Sequence, residues 1–219
     1  MSMKPSAAGY DAGCMRCQRL SRFLQEVASR YPDYHARPVA PFGDPDAELL
    51  IVGLAPGMHG ANRTGRPFTG DYAGILLYQT LYEFGFSSRP ASESRDDGLL
   101  LQGCRITNAV KCLPPQNKPA TEEIKTCNDF LRAELKTVPP GGVVVALGKI
   151  AHDAVLRSCD APLSRHPFAH GAEHRLDGRV LLDSYHCSRY NTQTRRLTAP
   201  MFRDIFVRAR ELLAAQTVS

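Results

Sequence analysis

Two short apolar runs constrain the fold of this chain more than any other feature. Residues 48–54 (ELLIVGL) form a run that ends in Gly-Leu and is soon followed by Pro56, and residues 143–147 (VVVAL) form a second. Runs of this length without a polar side are typical of strands that are buried on both faces, as in a parallel sheet. The chain therefore needs helices on both sides of a sheet.

The rest of the sequence supplies that alternation. The helical spacing of Leu20, Phe23, Leu24 and Val27 predicts a leading helix over residues 14–31, with Pro32 after its end. Further strands are predicted at 104–110 and 179–184, and further helices at 72–85, from 121 to about 136, from 149 through 156, and at 199–214. Strand and helix alternate four times, which predicts an α/β fold of three layers, α/β/α, with a parallel sheet.

The length indicates one domain. A chain of 219 residues can bury one sizeable core, so we expect a single domain over residues 1–219, with the small and polar residues 1–13 as a flexible tail. That first segment lacks the apolar centre of a secretion signal, and no stretch approaches the roughly 20 apolar residues of a membrane helix. We expect a cytoplasmic protein with no membrane partner.

One long loop separates the first strand from its helix. Residues 53–71 (GLAPGMHGANRTGRPFTGD) are rich in Gly and polar side chains, yet they match neither a phosphate-binding P-loop nor a dinucleotide fingerprint. Loops of this length inside a compact domain are usually functional. Because ligands of open parallel sheets bind beyond the carboxyl ends of the strands, this loop should converge with those after the other strands.

Polar residues suited to chemistry follow two other strands. His186 stands directly after the strand at 179–184 and can donate a hydrogen bond to charge that develops on a leaving group. Ser188 and Arg189 can hold phosphates, and Asn108, late in its strand, has the donor and acceptor that read a base edge. Taken singly, each of these residues is more often structural.

The charge is compatible with a polyanionic partner. The chain carries a formal charge of +5, and arginines cluster in two segments that read as loops. Arginines in such loops could bind the phosphates of a nucleic acid, although a solvated basic surface explains any single arginine equally well. The clustered arginines are Arg63, Arg66, Arg189, Arg195 and Arg196.

Four of the seven cysteines have the spacing of a metal site. Cys14 and Cys17 form a CxxC pair near a helix start, and Cys112 and Cys127 can complete a set of four thiolates. Spacing alone leaves zinc and a [4Fe-4S] cluster open, although the second pair lacks the compact CxxC of a zinc ribbon. The other three cysteines are expected to be packing residues.

Taken together, these motifs resemble the uracil-DNA glycosylase superfamily, and most closely its family 5, the type B iron-sulfur enzymes. The resemblance is carried by residues 53–71, by residues 106–119 (ITNAVKCLPPQNKP), by residues 184–198 (SYHCSRYNTQTRRLT) and by the four cysteines. It implies a uracil-DNA glycosylase-like fold with a four-stranded parallel sheet, a [4Fe-4S] cluster, and DNA as the partner of a monomeric protein used at the nucleoid. The implied activity is hydrolysis of the N-glycosidic bond of a flipped uracil, which leaves an abasic site.

The resemblance also implies roles for individual residues. Phe68 would stack on the extruded base, Asn108 would hydrogen-bond its Watson–Crick edge, and His186 would stabilise the departing base anion. The pocket would be lined by the backbone of the first motif, at Gly53, Leu54, Ala55 and Gly57. Contacts with DNA would come from His59, Asn62, Arg63, Ser188, Arg189 and Asn191.

The first motif departs from many relatives at Leu54, where others carry an acidic or amide side chain that could position water. The resemblance to family 5 implies that Asp71 takes over this task, either by activating water or by stabilising the sugar cation. A pocket mouth without the usual polar residue also implies tolerance of hypoxanthine and xanthine. A second departure, Cys187 in place of a frequent proline, leaves the shape of the following loop open.

Two readings from other classes remain as alternatives. The protein could be a catalytically silent iron-sulfur module that binds DNA, or an iron-sulfur electron carrier. The presence of Asp71, Asn108 and His186 favours an enzyme over the first, and a full pocket loop beside the cysteines favours it over the second.

Overall fold

The computed structural model describes residues 10–215, and in this range a six-stranded sheet lies between helices. The order of its strands is β1-β3-β2-β4-β6-β5. The strands are β1 (Phe42–Gly43), β2 (Leu49–Gly53), β3 (Cys104–Asn108), β4 (Val143–Leu147), β5 (Glu173–Leu176) and β6 (Arg179–Ser184). The helices are α1 (Gln18–Arg30), α2 (Ala61–Thr64), α3 (Tyr72–Glu83), α4 (Thr121–Thr137), α5 (Lys149–Ser158), α6 (Arg189–Gln193) and α7 (Ala199–Ala214).

The four central strands are parallel, as the alternation of strands and helices predicted. Ile51 of β2 pairs with Ile106 of β3 on one side and with Val145 of β4 on the other. The expected total of four strands was wrong, because β1 and β5 add antiparallel edges. Their sequences have no apolar run to reveal them: β1 is only two residues long, and β5 reads EHRL with mostly exposed or half-buried side chains.

Alternate side chains of the central strands enter two separate cores. Leu49 and Ile51 pack with α3 and α7 on one face, whereas Leu50 and Val52 pack with α4 and α5 on the other. Successive side chains of a strand point to opposite faces, which is why these neighbours divide between the two layers. Each such aliphatic side chain contributes about 1.5–3 kcal/mol relative to an exposed position. The continuous apolar runs are thus explained by helices on both faces.

Local hydrogen bonds set where the helices begin. Asp71 caps α3 by accepting a hydrogen bond from the Gly74 backbone N–H at 3.0 Å, and Thr198 caps α7. Helix α4 begins at Thr121 as predicted, but the capping contact comes from Glu123, whose carboxylate accepts from the Ala120 N–H at 2.7 Å. The leading helix begins at Gln18, so the CxxC segment immediately precedes it.

The terminal segment lies partly outside the described range. The predicted tail covers residues 1–13, of which residues 1–9 are not described. Tyr10 is anchored, because its hydroxyl donates to the Pro38 carbonyl at 2.6 Å. Within residues 10–215, no helix combines the length and apolar character that a membrane span requires.

Candidate active site

A cavity of about 410 Å³ lies beyond the carboxyl ends of β2, β3 and β6. The loops that follow these three strands form its walls, as the parallel sheet predicted, whereas the loop after β4 supplies no lining residue. The cavity is lined by Leu54, Ala55, Gly57, Ala61, Phe68, Asp71, Tyr72, Ala73, Asn108, Asn117, His186, Ser188 and Arg189.

Phe68 and His186 form one side of the cavity. Their rings are stacked, with centroids 6.0 Å apart and planes inclined by 29°. The backbone of Phe68 has a φ of 53°, a left-handed conformation that is strained for an aromatic residue and that recurs at functional sites. Gly74 permits this arrangement, since a Cβ there would lie 1.8 Å from the Phe68 carbonyl oxygen. The packing of α3 therefore holds the Phe68 ring against the site.

Asn108 contributes a buried amide at the end of β3. Its Oδ1 atom is buried and has no hydrogen-bond partner within the described residues. An unsatisfied buried acceptor costs about 1–3 kcal/mol, and a donor on a ligand would recover that cost. Gly53 lies behind this side chain rather than among the lining residues, because a Cβ at Gly53 would be 2.4 Å from Asn108 Oδ1 and 2.6 Å from Phe68 Cζ.

One carboxylate oxygen of Asp71 accepts a helix-capping hydrogen bond, and the other is left for a ligand. Its Oδ1 accepts the capping hydrogen bond from Gly74, while Oδ2 lies near Gly57 and Gly60. A Cβ at Gly60 would be 2.4 Å from that Oδ2, so glycine is needed for the carboxylate to occupy this place. Burial raises the pKa of Asp71, and hydrogen bonds from the Gly74 and Ala73 backbones partly oppose that rise. The result is a carboxylate that is more basic than an exposed aspartate.

His186 is neutral at physiological pH. Burial lowers the pKa of His186 to about 4, because a charged imidazolium is poorly solvated there. Its Nδ1 is buried without a partner in the part of the chain that the structure describes. The carbonyl of His186 accepts a hydrogen bond from Asn191 Nδ2 at 2.8 Å, which fixes the loop that carries the ring. A neutral imidazole in this place can donate a hydrogen bond without carrying a charge into the cavity.

Three of the residues predicted to contact DNA are exposed, namely His59, Arg63 and Arg189, and Arg189 also lines the cavity. The His59 Nδ1 is hydrogen-bonded to the Tyr34 hydroxyl at 2.8 Å. The Arg189 guanidinium lies 5.0 Å from the centroid of the Tyr72 ring. These positions are compatible with a polyanion that crosses the mouth of the cavity.

The other residues predicted to contact DNA, together with the clustered Arg66, are either buried or engaged in local hydrogen bonds. Asn62 is fully buried, so its side chain does not reach a phosphate. Arg66 is also buried, bonded to Asp97 at 2.7 Å and stacked over Phe42, so the clustering of arginines was misleading there. Ser188 caps α6, and Asn191 holds the backbone of the preceding loop, as described above.

Sequence reasoning missed four residues that line the cavity: Ala61, Tyr72, Ala73 and Asn117. Tyr72 directly follows Asp71, and its position at the first turn of α3 could have indicated it. Asn117 belongs to the segment PPQNKP, which was recognised as part of a motif without a role for this residue. The small residues Ala61 and Ala73 carry no sequence signal.

The four cysteines of the predicted metal site come together at a second place. Cys14, Cys17, Cys112 and Cys127 line one small cavity with Leu20, Val110 and Phe130. Burial, together with the charges of the neighbouring Cys127, Cys14 and Cys17, raises the pKa of Cys112 to about 12. The Lys111 backbone N–H donates to Cys127 Sγ at 3.3 Å. Four converging thiols with an N–H donor in an apolar shell form a donor set that fits a thiolate-ligated metal centre.

A buried polar network lies beneath the loop that carries His186. Asp183, fully buried on β6, is 2.8 Å from His152 Nδ1 and 3.2 Å from His174 Nε2. The other ring nitrogen of His152 is 2.9 Å from the His166 carbonyl oxygen. Two acceptors on one imidazole require both nitrogens to be protonated, so His152 is the positive partner of Asp183.

Comparisons with known proteins agree over most of the chain. A family model described as the Uracil DNA glycosylase superfamily matches residues 40–210. The chain is 50% identical over 205 residues to the Type-5 uracil-DNA glycosylase of Thermus thermophilus, covering 91% of this chain and 93% of that protein. It is 44% identical over 200 residues to the Type-5 uracil-DNA glycosylase of Pyrobaculum aerophilum, covering 90% and 87%.

A solved structure supports the fold at low sequence identity. The crystal structure of wild-type SMUG2 from Pedobacter heparinus aligns with a TM-score of 0.50 and 14% identity, covering 89% of this chain and 85% of that one.

Proposed function

The chain belongs to the uracil DNA glycosylase superfamily, and we propose that it hydrolyses the N-glycosidic bond of uracil in DNA, leaving an abasic site. The observation that carries this proposal is the grouping of Phe68, Asp71, Asn108 and His186 around one cavity at the carboxyl edge of the sheet. Each of these residues has chemistry that one part of the reaction needs.

Asn108 is suited to select uracil. Its unpartnered Oδ1 requires a hydrogen-bond donor, and the N3–H of uracil is such a donor, while N3 of cytosine is an acceptor. A cytosine in the same place would leave two acceptors facing each other, and a site with an unpaired buried polar group rejects such a ligand strongly. The amide therefore discriminates the deaminated base from its parent.

His186 is suited to stabilise the leaving group. As the glycosidic bond breaks, negative charge develops on the uracil ring, chiefly at its carbonyl oxygens. A neutral imidazole N–H held in place before the reaction can donate to that charge without reorganisation, and one such donor is typically worth 10²–10³-fold in rate, about 2.7–4 kcal/mol. Because the pKa of His186 is about 4, the imidazole is neutral at pH 7, with a proton on only one of its two ring nitrogens.

Asp71 is suited to the sugar side of the reaction. A carboxylate next to the cavity can orient and deprotonate an attacking water, and it can also stabilise positive charge on the deoxyribose ring. We propose the first role, because the capping bond occupies Oδ1 and leaves Oδ2 as a proton acceptor of raised basicity. Leu54, which also lines the cavity, offers no polar group for this task.

The substrate must leave the DNA stack to enter the cavity. Stacking of the flipped base on Phe68 would contribute about 1–3 kcal/mol, a large part of the cost of extruding a mismatched nucleotide. Arg63 and Arg189 are both exposed, Arg189 lines the cavity, and both would neutralise phosphates of the distorted strand. A U:G mismatch should open more easily than a U:A pair.

Other deaminated bases share the edge that Asn108 would read. Hypoxanthine and xanthine present an N1–H donor beside the O6 acceptor, the same pair that uracil presents at N3 and O4. The open cavity of about 410 Å³ has room for a purine, and Leu54 and Ala55 place no polar group against it. We therefore include these two purines among the proposed substrates.

We also propose that Cys14, Cys17, Cys112 and Cys127 hold a [4Fe-4S] cluster rather than zinc. Within residues 10–215, only His152, His174 and Asp183 bring three His, Cys, Asp or Glu ligand atoms within 4.8 Å of one another. No three of the four cysteine sulfurs therefore lie that close together. In a mononuclear zinc site they would, because Zn–S bonds of about 2.3 Å place the sulfurs about 3.8 Å apart. When bound, the cluster would cross-link the segments that carry the four thiolates. Hydrolysis of the glycosidic bond requires no redox step from it.

The activity is tested by base release from matched oligonucleotides that carry U:G, U:A, single-stranded U, hypoxanthine:T or normal T:A. Release from U:G but not from T:A, with strong loss in Asp71→Asn, is the expected result. If a folded and iron-loaded protein bound these duplexes but released no base from any of them, a catalytically silent DNA-binding module would be the better conclusion.

The cluster is tested by iron and sulfide analysis of anaerobically purified protein. About four iron atoms per chain are expected in the wild type and in Cys159→Ser, whose thiol lies outside the proposed ligand set. The Cys127→Ser variant should lose most of its iron. One zinc and no iron per chain in the anaerobic wild type would contradict the proposal.

A further inference from the structure

A histidine that lies outside the active-site cavity contacts the backbone that leads into His186. The backbone N–H of Tyr185, the residue directly before His186, donates a hydrogen bond to Nδ1 of His170 at 3.1 Å. His170 belongs to the loop of residues 166–172, which precedes β5, and it is not among the residues that line the cavity. None of the steps proposed above uses its side chain.

The aromatic rings add to this contact. The His170 and Tyr185 rings are stacked, with centroids 5.1 Å apart and planes inclined by 20°. The Arg196 guanidinium lies over the Tyr185 ring, 4.7 Å from its centroid. Both arrangements are favourable for an aromatic ring, so the side chain and the backbone N–H of Tyr185 are both held by His170.

The loop that carries His170 is itself bonded to β6. The Gly171 N–H donates to the Asp183 carbonyl at 2.8 Å, and the Asp183 N–H donates to the Ala172 carbonyl at 2.9 Å. These two hydrogen bonds continue the antiparallel pairing of β5 with β6. The position of His170 is therefore set by the same strand whose end leads to His186.

The backbone around His186 is held at three successive residues. The Ser184 carbonyl accepts a hydrogen bond from the Gly148 N–H at 2.8 Å. The His186 carbonyl accepts one from Asn191 Nδ2 at 2.8 Å, and His170 supplies the contact at the residue between them. Because Nδ1 of His186 has no partner among the described residues, the placement of that ring depends on the backbone that carries it.

We propose that His170 is a positioning residue: by accepting the Tyr185 N–H, it sets the backbone from which the His186 imidazole donates to the departing base. This proposal rests on the proposed function. Catalytic groups must be held close to their productive geometry, and a displacement of about 1 Å can cost on the order of 10²-fold in rate. A side chain that touches neither the base nor the sugar can therefore affect the rate through His186.

The hydrogen bond defines the protonation state of His170. Its Nδ1 can accept an N–H only when the imidazole is neutral and carries its proton on Nε2. Burial lowers the pKa of His170, while a backbone hydrogen bond to Met201 and the charge of Asp204, both on α7, oppose that effect. The imidazole is therefore neutral at pH 7, and the acceptor is present.

Two substitutions separate the acceptor from the ring. His170→Phe keeps a ring that can stack on Tyr185 but removes the acceptor. His170→Asn removes the ring but keeps an acceptor, because Oδ1 of asparagine is bonded to Cγ as Nδ1 of histidine is. His166→Phe is the matched control, since His166 lies in the same loop and its Nδ1 is 2.9 Å from the Pro162 carbonyl oxygen instead.

The experiment measures single-turnover release of uracil from a U:G duplex at saturating enzyme, so that the rate does not depend on DNA affinity. His170→Phe should slow release about tenfold, as expected for the loss of one positioning hydrogen bond. His170→Asn and His166→Phe should stay within about threefold of wild type. In a His186→Ala background, His170→Phe should have little further effect, because a residue that acts through another is not additive with it. Thermal denaturation verifies that each variant is folded.

Three results would overturn the proposal. A folded His170→Phe enzyme within about threefold of the wild-type rate would show that the hydrogen bond is not needed. Equal slowing by His170→Phe and His170→Asn would assign the effect to something other than the acceptor. A loss that persists in the His186→Ala background would show that His170 acts by another route.

These three results leave the proposed function standing. A folded wild-type protein that binds the U:G duplex and releases no uracil would overturn the proposed function, and the role of His170 with it.

Discussion

Replacing Asp71 separates the catalytic and structural roles of one carboxylate. The side chain caps α3 through Oδ1 and is proposed to act on water through Oδ2. Asp71→Asn keeps the capping oxygen and the shape but removes the base, while Asp71→Ala removes both. Asparagine and aspartate are nearly equivalent at helix N-caps, whereas replacement of either by alanine costs about 1 kcal/mol.

The sizes of the two effects follow from these roles. General-base catalysis typically contributes 10²–10⁴-fold, so both variants should lose that much in the rate of base release. Loss of the cap should place the melting temperature of Asp71→Ala about 2–4 °C below that of Asp71→Asn in a chain of this size, because both variants lack the buried charge. The pKa of Asp71 is raised by burial, so the folded protein binds this proton more tightly than the unfolded chain does. Ionised Asp71 therefore reduces stability as pH rises above about 3.9, and Asp71→Asn should be at least as stable as wild type at pH 7.

The assay is single-turnover release of uracil from a U:G duplex with enzyme in excess, together with thermal denaturation of the same preparations. The wild-type rate should rise with pH through the raised pKa of Asp71 and then level off, and Asp71→Asn should lack that limb. An Asp71→Asn enzyme with a rate within threefold of wild type would refute the assignment of Asp71 as a base. An equal melting temperature for Asp71→Ala and Asp71→Asn would refute the capping argument.

Three further changes test other parts of the structure. His186→Ala should slow single-turnover base release by about 10²–10³-fold, and in the wild type His186 should produce no titration between pH 6 and 8, because its pKa is about 4; a rate dependence near pH 6.5 that vanishes in the variant would contradict this. Gly53→Ala should abolish most activity while DNA binding persists, because the new methyl group would lie 2.4 Å from Asn108 Oδ1 and displace that amide. An unchanged rate would show that base release does not depend on the position of the Asn108 amide. Burial lowers the pKa of His152, but the hydrogen bond and charge of Asp183 outweigh the effect of burial, so the pKa is raised. The His152–Asp183 pair therefore stabilises the fold fully below about pH 6.5, the pKa of histidine in the unfolded chain, and less as the pH rises through the higher pKa of the folded state. Asp183→Asn should therefore cost about 3–5 kcal/mol of unfolding free energy at pH 6 and less at pH 9, measured by urea denaturation; an equal cost at both values would argue against an ionised pair.

The sequence predicted the central sheet because burial on both faces leaves a direct mark. A strand such as β4 must be apolar at every position when helices cover both sides, and its five residues are all buried. The edge strands could not be found in this way. The side chains of β5 are mostly exposed or half-buried, so that strand is defined by hydrogen bonds to β6 rather than by its own residues.

The site was predictable to the extent that it consists of unusual residues directly after strands. His186 and Asn108 were placed at the cavity by that reasoning, and the structure brings them together. Arginine clustering was a poorer guide, because whether a guanidinium is free depends on distant partners. Arg66 has Asp97 as its partner, 31 residues away in the chain, while Arg63 is exposed.

By itself, the sequence determined the four central strands and the helices between them, the edge of the sheet where the candidate site lies, and the four cysteines proposed to bind one metal centre. These properties follow from hydrophobic burial, chain connectivity and side-chain chemistry, all of which act through residue type and position along the chain. Only the tertiary structure decided that Asn62 is buried, that one carboxylate oxygen of Asp71 accepts a helix-capping hydrogen bond, and that Asn117 lines the cavity. Those outcomes depend on which distant groups come into contact, and contact is set by packing in three dimensions.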